Sequence, residues 1–178
     1  MNTCAENWDE TVDIVVVGFG FAGGTAAIEA HDLGANVLLV EKNRTPGGIS
    51  ICSAGGVRIA RDRHAAFAYL KATNAGTTPD EPLAALADGM TRISSFIEDL
   101  AAAAGANPVT NWMAGNYPFE GFDTFGFISI AEYPGLDLHE KYPHVRGLRG
   151  GTRLFAVVHD DVEARGSPVR DSTAGERL

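Results

Sequence analysis

The clearest pattern of hydrophobic and polar positions lies in the first quarter of the chain. Residues 13–17 contain an uninterrupted β-branched run that stops at a glycine, which is typical of a strand buried on both faces of a parallel sheet. Residues 24–33 place alanine and leucine at helical spacing before Gly34, so we predict a helix that ends at this glycine. Residues 36–40 form a second apolar run. The pattern therefore predicts a strand, a helix and a second buried strand in an α/β fold.

Three glycines join the first strand to the helix with the spacing G-x-G-x-x-G, at Gly18, Gly20 and Gly23. In a dinucleotide-binding unit the first permits a tight turn, the second lets a pyrophosphate approach the backbone, and the third lets helix and strand pack closely. The start of the helix then presents N–H groups and a partial positive charge to the phosphates. A simple chain reversal is the alternative, but the flanking strand and helix favour a dinucleotide site.

The second strand ends in Glu41, a position from which a carboxylate can accept both hydroxyls of an adenosine ribose. A solvated strand end is the other interpretation of this residue. An acid here also disfavours NADP, because it would repel the 2′-phosphate. The turn and Glu41 together predict a site for the ADP half of a dinucleotide.

The rest of the chain predicts further helices and a strand. Helices are expected over 62–73, 81–104 and 150–165, and an extended segment over 168–173. Thr78, Pro79 and Glu81 resemble a capping box for the second of these helices. Its apolar stripe predicts a core face made of Leu83, Leu86, Met90, Ile93, Ile97, Leu100 and Ala104. Residues 125–130 could form a strand, and the segments around them read as loop or small β-structure.

Composition excludes several classes of function. The 178 residues carry 14 Lys plus Arg against 23 Asp plus Glu, for a net charge of −9, so nucleic-acid binding is not expected. No apolar run approaches the roughly 20 residues of a membrane span, and the first residues do not resemble a secretory signal. Cys4 and Cys52 lack the spacing of a disulfide framework or a zinc site, and Cys52 is expected to be a small packed residue. We therefore predict a cytoplasmic protein without a metal.

The strings GFGFAGGTAA, EK, PGGIS and SAGG, which run in that order from Gly18 to Gly56, resemble one family of flavoproteins. It is the FAD-dependent oxidoreductase 2 family, which includes the flavoprotein subunits of succinate dehydrogenase and fumarate reductase and the 3-ketosteroid dehydrogenases. The resemblance implies a Rossmann-like FAD-binding domain with a parallel sheet, and non-covalent FAD, since no histidine lies between Lys42 and Gly56. Plain NAD binding is the alternative, but a double Gly-Gly stretch after the acid is not expected there.

Carried over by position, the resemblance implies cofactor contacts in two segments that follow the glycine turn. Ser50 would supply a hydroxyl, and the glycines would let the backbone approach the pyrophosphate, ribityl chain and flavin edge. A flexible surface loop is the alternative for these glycines. The implied cofactor-binding residues are Gly18, Gly20, Ala22, Gly23, Glu41, Lys42, Gly48, Ile49, Ser50, Ala54, Gly55, Gly56 and, at the adenine, Gly175.

The resemblance also implies an activity, namely hydride transfer across a carbon–carbon bond through flavin N5, on a small-molecule substrate that is steroid-like or a dicarboxylate. Members of this family are more than twice as long, so we expect residues 1–178 to form an incomplete FAD-binding domain without the cap domain and C-terminal strands. A non-catalytic FAD-binding fragment or a subunit of a split flavoprotein, with a complementary subunit, is the alternative. Tyr117 is a candidate to approach the substrate. The alternative is that Tyr117 is a buried tyrosine whose hydroxyl is hydrogen-bonded to the backbone. No catalytic acid or base is identified.

Overall fold

The computed structural model describes residues 9–147 and 150–176. These residues divide into two compact units. The first unit contains the chain up to Ser50 together with the chain from Val158 onward, and the second unit contains Ile51–Val157. The helix α5, Gly150–Ala164, contributes its first half to the second unit and its second half to the first.

The first unit is a parallel sheet with helices, as the hydrophobic pattern predicts. It contains β1 (Ile14–Val17), α1 (Phe21–Asp32), β2 (Val37–Val40) and the short β6 (Val169–Arg170). Both strand pairs are parallel, and the strand order is β1-β2-β6. The predicted α/β fold with a parallel sheet is therefore confirmed.

The helix α1 begins three residues earlier than its alanine pattern predicts. The predicted start was residue 24, but the helix begins at Phe21, and Gly24 already donates its N–H to Gly20 O at 2.9 Å. Glycine has a low helix propensity, so propensity alone delays the predicted start. Gly23 therefore lies inside the first turn of α1.

The prediction that β1 is buried on both faces is wrong for the described residues. Val16 is 9% exposed, but Ile14, Val15 and Val17 are 40%, 52% and 58% exposed. β1 pairs only with β2 and forms an edge of the described sheet. The side chains of β2 are better covered, with Val37 at 2% and Leu39 at 0%.

The second unit combines an antiparallel sheet with helices. Its strands are β3 (Val57–Ala60), β4 (Asn107–Trp112) and β5 (Phe125–Glu132), in the order β3-β5-β4. β5 confirms the strand predicted over 125–130, whereas β3 and β4 were not predicted as strands. The helices are α2 (Arg63–Asn74), α3 (Asp80–Ala104) and the one-turn α4 (Leu138–Lys141). A core cluster is formed by Ala60, Ala66, Tyr69, Ala87 and Phe125.

The long helix α3 confirms the predicted helix but corrects two details. Its stripe buries Leu83, Ile97 and Leu100, whereas Leu86 is 49% exposed and lies outside the core. Pro79 occupies the N-cap position without a side-chain hydrogen bond, so the predicted capping box is absent. Within the described residues, none of the helices is both long enough and apolar enough to span a membrane.

An ion cluster joins the ends of α1 and α5 within the first unit. Arg165 donates to both carboxylate oxygens of Asp32, at 2.7 and 2.8 Å, and also to Asp161. The hydrogen bond from Arg165 lowers the pKa of Asp32 from 3.8 to about 2. The same bonds raise the pKa of Arg165, so the guanidinium stays charged and holds the two helix ends together.

Replacing Asp32 with asparagine is expected to lower the free energy of unfolding by less than about 1 kcal/mol at pH 7, since half-exposed ion pairs are screened by solvent. The Asp32 side chain is 51% exposed. Because its pKa is lower in the folded state, its contribution is complete well above pH 3.8 and is lost as the pH falls through about 2. Urea unfolding of both proteins across this range measures the effect. Asp99→Asn, on the exposed face of α3, is the control substitution.

Candidate functional site

The glycine turn brings the start of α1 directly against the end of β1. Gly18 adopts a φ of +96°, which favours glycine, and its N–H donates to Val40 O at 2.7 Å. A Cβ placed on Gly23 would overlap the carbonyl oxygen of Gly18 and lie 3.4 Å from Val16 Cγ1. The absence of a side chain at Gly23 is therefore what allows strand and helix to meet this closely.

The first turn of α1 offers backbone donors at this turn. The N-cap is Gly20, which has no side chain to cap the helix. The first N–H groups of a helix lack intrahelical acceptors and carry a partial positive charge. The Phe21 N–H donates to Ser50 Oγ at 3.1 Å, and a Cβ on Gly20 would lie 2.9 Å from the same oxygen. Ser50 thus packs against the start of α1 and keeps a hydroxyl proton to donate.

Glu41 is buried, with 5% exposure, so it is not a solvated strand end. Its Oε2 accepts the Phe19 N–H at 2.9 Å, and its Oε1 accepts the Asn43 N–H at 2.8 Å. A carboxylate oxygen can accept more than one hydrogen bond, so both oxygens retain acceptor capacity for the hydroxyls of a ribose. The hydrogen bond from the Phe19 N–H therefore links Glu41 to the glycine turn, since Phe19 lies between Gly18 and Gly20.

Phe19 is the residue of this site that the sequence analysis did not identify. It is fully buried, and its ring meets the ring of His159 edge-on at a centroid distance of 5.1 Å. Its backbone N–H binds Glu41, and its carbonyl accepts the Gly47 N–H at 2.7 Å. The only sequence signal for this role is that an aromatic residue occupies the position between Gly18 and Gly20. Phe19 anchors the turn, and its carbonyl fixes the loop that follows β2.

The remaining predicted contacts of the first unit lie around this turn. Ala22 in the first turn of α1 is exposed, as are Lys42, Gly48 and Ile49 in the segment after β2. A Cβ on Gly175 would lie 3.4 Å from Val17 Cγ1, at the end of β1 that leads into the turn. These positions are accessible to a ligand, and their contact with FAD stays a prediction.

The other predicted contacts lie in the second unit. Ala54 and Gly56 are exposed, whereas Gly55 is buried, and a Cβ on it would overlap the backbone of Gly150. The Gly151 N–H donates to Ser53 O at 3.0 Å, which ties the segment to the start of α5. Gly55 is therefore packed against the start of α5, whereas Gly56 lies at the surface. Their role towards FAD stays a prediction.

Two sequence-based interpretations outside the glycine segments are corrected. Cys52 is exposed rather than packed, while Cys4 lies outside the described residues. Tyr117 is 59% exposed, so it is not a buried tyrosine, and its backbone N–H donates to the hydroxyl of Tyr69 at 3.2 Å.

The donor set of the first unit fits the ADP half of a dinucleotide. A buried carboxylate with remaining acceptor capacity suits ribose hydroxyls, and a helix start at a glycine turn, whose N-cap Gly20 has no side chain, suits a pyrophosphate. Parallel strands with a crossover helix supply both at the carboxyl ends of the strands. The fold and this site define a Rossmann-type dinucleotide-binding domain.

The particular family follows from similarity to known proteins. The FAD binding domain family matches residues 13–178, and the chain belongs to this family. Its cofactor is FAD. The predicted resemblance and the choice of FAD are confirmed by this match.

Similar proteins are dehydrogenases and reductases. The 3-oxo-5-alpha-steroid 4-dehydrogenase of Comamonas testosteroni is 31% identical over 96% of this chain and 35% of its own length. The fumarate reductase (cytochrome) of Shewanella frigidimarina is 53% identical over 29% of this chain and 9% of its own length. The structure of a 3-ketosteroid-delta4-(5alpha)-dehydrogenase from Rhodococcus jostii RHA1 has a similar fold, with a TM-score of 0.71, 19% identity and coverage of 94% of this chain and 39% of that chain.

The match leaves most of each relative uncovered. The chain spans 35% of the length of the Comamonas dehydrogenase and 39% of the Rhodococcus structure. The cofactor domain is therefore established for this chain by family membership, and the activity of the whole protein is a proposal.

Proposed function

We propose that this chain is the FAD-binding part of an oxidoreductase that adds or removes hydrogen across a carbon–carbon bond. The observation that carries the cofactor role is the buried Glu41. Its Oε2 accepts the Phe19 N–H of the glycine turn and its Oε1 accepts the Asn43 N–H, and both oxygens retain acceptor capacity. The steroid dehydrogenase and fumarate reductase activities in the names of the relatives support the reaction class. When bound, FAD supplies the hydride donor or acceptor at its N5 atom.

The residues of the chain bind and orient the cofactor in this proposal. Glu41 accepts hydrogen bonds from the adenosine ribose, and the first turn of α1 donates to the pyrophosphate. The Ser50 hydroxyl oxygen accepts the Phe21 N–H, so its proton is available to donate to the cofactor at the start of α1. Backbone groups of residues 54–56 would contact the flavin, and the exposed Ala54 and Gly56 carry a methyl group and no side chain there.

Purification of the chain with FAD tests the cofactor role. We expect a yellow protein whose flavin is released on denaturation and identified as FAD, with binding that NAD does not compete away. Turnover is then tested anaerobically in both directions. The protein with reduced flavin is mixed with 4-androstene-3,17-dione, and the protein with oxidised flavin is mixed with reduced steroids. A colourless protein without measurable FAD affinity would contradict the proposal.

A second candidate is a non-catalytic FAD-binding module that acts only with a complementary polypeptide. The chain spans 35% of the length of the Comamonas dehydrogenase. In that case the chain binds FAD but its flavin is not reduced or oxidised by any substrate when it is alone. Flavin bleaching by the isolated chain would exclude the module.

An exposed aromatic surface of the second unit favours an apolar substrate over a dicarboxylate. The loop between β4 and β5 is closed by hydrogen bonds from Gly115 N–H to Phe122 O and from Phe122 N–H to Phe119 O. Exposed apolar side chains grouped at the end of β4 and on the loop that follows it often mark a binding surface. The members, with exposed fractions between 40% and 59%, are Trp112, Met113, Tyr117, Phe119 and Phe122.

We expect 4-androstene-3,17-dione to change the fluorescence of Trp112 saturably, because a ring system packed on this surface would remove water from the indole. The chain has two tryptophans, so the Trp8→Phe variant isolates Trp112. Fumarate is the control ligand and should leave the signal unchanged. Saturable quenching by fumarate alone would instead support a dicarboxylate substrate.

A further inference from the structure

The segment between β4 and β5, residues 113–124, lies against the helix α2; we call it the aromatic loop. A Cβ on Gly121 would overlap the carbonyl oxygen of Ala65 in the first turn of α2. Thr124 closes the loop, and its hydroxyl accepts the N–H of Asp62, the N-cap of α2, at 3.0 Å. The end of the aromatic loop is therefore fixed to the start of this helix.

Tyr69 fixes the middle of the aromatic loop from the core of the second unit. Its side chain belongs to the core cluster, is 7% exposed, and meets the ring of Phe125 edge-on at a centroid distance of 4.9 Å. Its hydroxyl oxygen accepts the Tyr117 N–H at 3.2 Å. A Cβ on Gly115 would lie 2.6 Å from the same oxygen, so the hydroxyl reaches Tyr117 because residue 115 has no side chain.

This hydrogen bond fixes the backbone of a residue whose ring is exposed. The Tyr117 carbonyl accepts the Phe119 N–H at 2.9 Å, so both backbone polar groups of Tyr117 are bonded. The rings of Tyr117 and Phe119 have centroids 6.3 Å apart and are 59% and 46% exposed. A surface whose side chains are held in place before a ligand arrives loses less conformational entropy on binding.

We infer that Tyr69 is a positioning residue for an apolar ligand with a rigid ring system. Its hydroxyl holds Tyr117, and through it Phe119, in the arrangement that such a ligand packs against. The inference rests on the proposed function, in which the aromatic surface takes the substrate. Tyr69 acts through Tyr117 and does not itself touch the ligand, since its own ring is packed in the core.

The variant Tyr69→Phe separates positioning from a purely structural role. Phenylalanine keeps the ring that packs on Phe125 but removes the acceptor of the Tyr117 N–H. A purely structural role would lower the stability of the fold and leave the ligand affinity of the folded protein unchanged. A positioning role lowers that affinity, because the backbone at Tyr117 is no longer held.

Titration of the FAD-loaded chain with 4-androstene-3,17-dione tests the inference, in the Trp8→Phe background so that Trp112 reports binding. We expect Tyr69→Phe to weaken steroid binding about 5- to 10-fold, the range that the net contribution of one hydrogen bond gives. The amide of Tyr117 should exchange its hydrogen at least about fivefold faster. The affinity for FAD, measured in parallel, should stay unchanged.

A second variant disturbs the same hydrogen bond from the side of the loop. Gly115→Ala places a methyl group against the Tyr69 hydroxyl and displaces it, so it should weaken steroid binding to a similar extent. This variant also decides the matter if Tyr69→Phe does not fold. The control is Thr91→Val, which removes a hydroxyl that donates to Asp88 O within α3 and should leave steroid binding unchanged.

The outcomes separate this inference from the proposed function. Unchanged steroid affinity in Tyr69→Phe and Gly115→Ala overturns the positioning role, while the proposed function stands. Steroid binding that is absent from the original chain in its FAD-loaded form overturns the inference and leaves the cofactor role intact. A loss of FAD affinity in Tyr69→Phe also overturns it, since the substitution would then act on the whole fold rather than on the aromatic loop.

Discussion

Gly23→Ala is expected to reduce the affinity for FAD at least about 100-fold, which corresponds to about 2.7 kcal/mol. The added Cβ would overlap Gly18 O and press on Val16 Cγ1, so α1 must move away from β1. That movement takes the N–H groups of the helix start away from the pyrophosphate. The same overpacking is expected to lower the free energy of unfolding by about 1–3 kcal/mol. Flavin fluorescence titration and urea unfolding measure the two effects.

Gly89→Ala is the matched control for this substitution. Gly89 lies within α3, and a Cβ there would meet no atom within 4 Å. Alanine should stabilise the helix by up to about 1 kcal/mol and leave FAD affinity unchanged. A Gly23→Ala protein that binds FAD as tightly as the original chain would show that close contact between β1 and α1 is not needed for the site.

Glu41→Gln is expected to reduce FAD affinity by a factor of roughly 10–100, because hydrogen bonds to charged groups contribute about 1.5–3 kcal/mol. The amide places an NH2 group where a carboxylate oxygen now accepts a backbone N–H from Phe19 or Asn43. One buried donor then loses its acceptor, which should also lower the free energy of unfolding by about 1–3 kcal/mol. Isothermal titration with FAD and chemical unfolding measure these changes.

The control makes the same substitution at the end of another strand. Glu132 is the last residue of β5 and is exposed, so Glu132→Gln should change neither quantity. If Glu41→Gln loses stability but keeps full FAD affinity, then Glu41 only shapes the glycine turn and does not hold the ribose. An unchanged stability would contradict the hydrogen bonds to the turn.

The strand–turn–helix–strand fold of the first unit could be predicted from sequence because its signals are local. The two strands, the glycines and Glu41 lie within 29 consecutive residues, 13–41, and each glycine has a steric reason that spacing alone reveals. The start of α1 was predicted too late, since the glycines at its beginning have low helix propensity. The hydrogen bond from the Phe21 N–H to Ser50 Oγ joins residues that are 29 positions apart. The anchoring role of Phe19 likewise depends on His159, far along the chain.

The second unit was harder to predict because its strands are stabilised by distant partners. β3 is a four-residue strand whose register with β5 pairs Val57 with Ile128. β4 begins with Asn107 and Pro108, which have low strand propensity, yet it pairs along its whole length with β5. Leu86 fits the helical stripe of α3 but no element covers it enough to bury it. Periodicity predicts which residues share a face, and only packing decides whether that face is covered.

The sequence by itself determined the dinucleotide-binding unit, from the run before Gly18 to Glu41, and with the following Gly-Gly segments it indicated FAD. These signals are steric and local, so they can be interpreted without knowledge of the remaining chain. Only the tertiary structure decided that Glu41 holds the turn through Phe19, that Ala54 and Gly55 pack against Gly150, and that β1 lies at an edge of the described sheet. Each of these depends on atoms brought together from distant positions, which a local pattern does not encode.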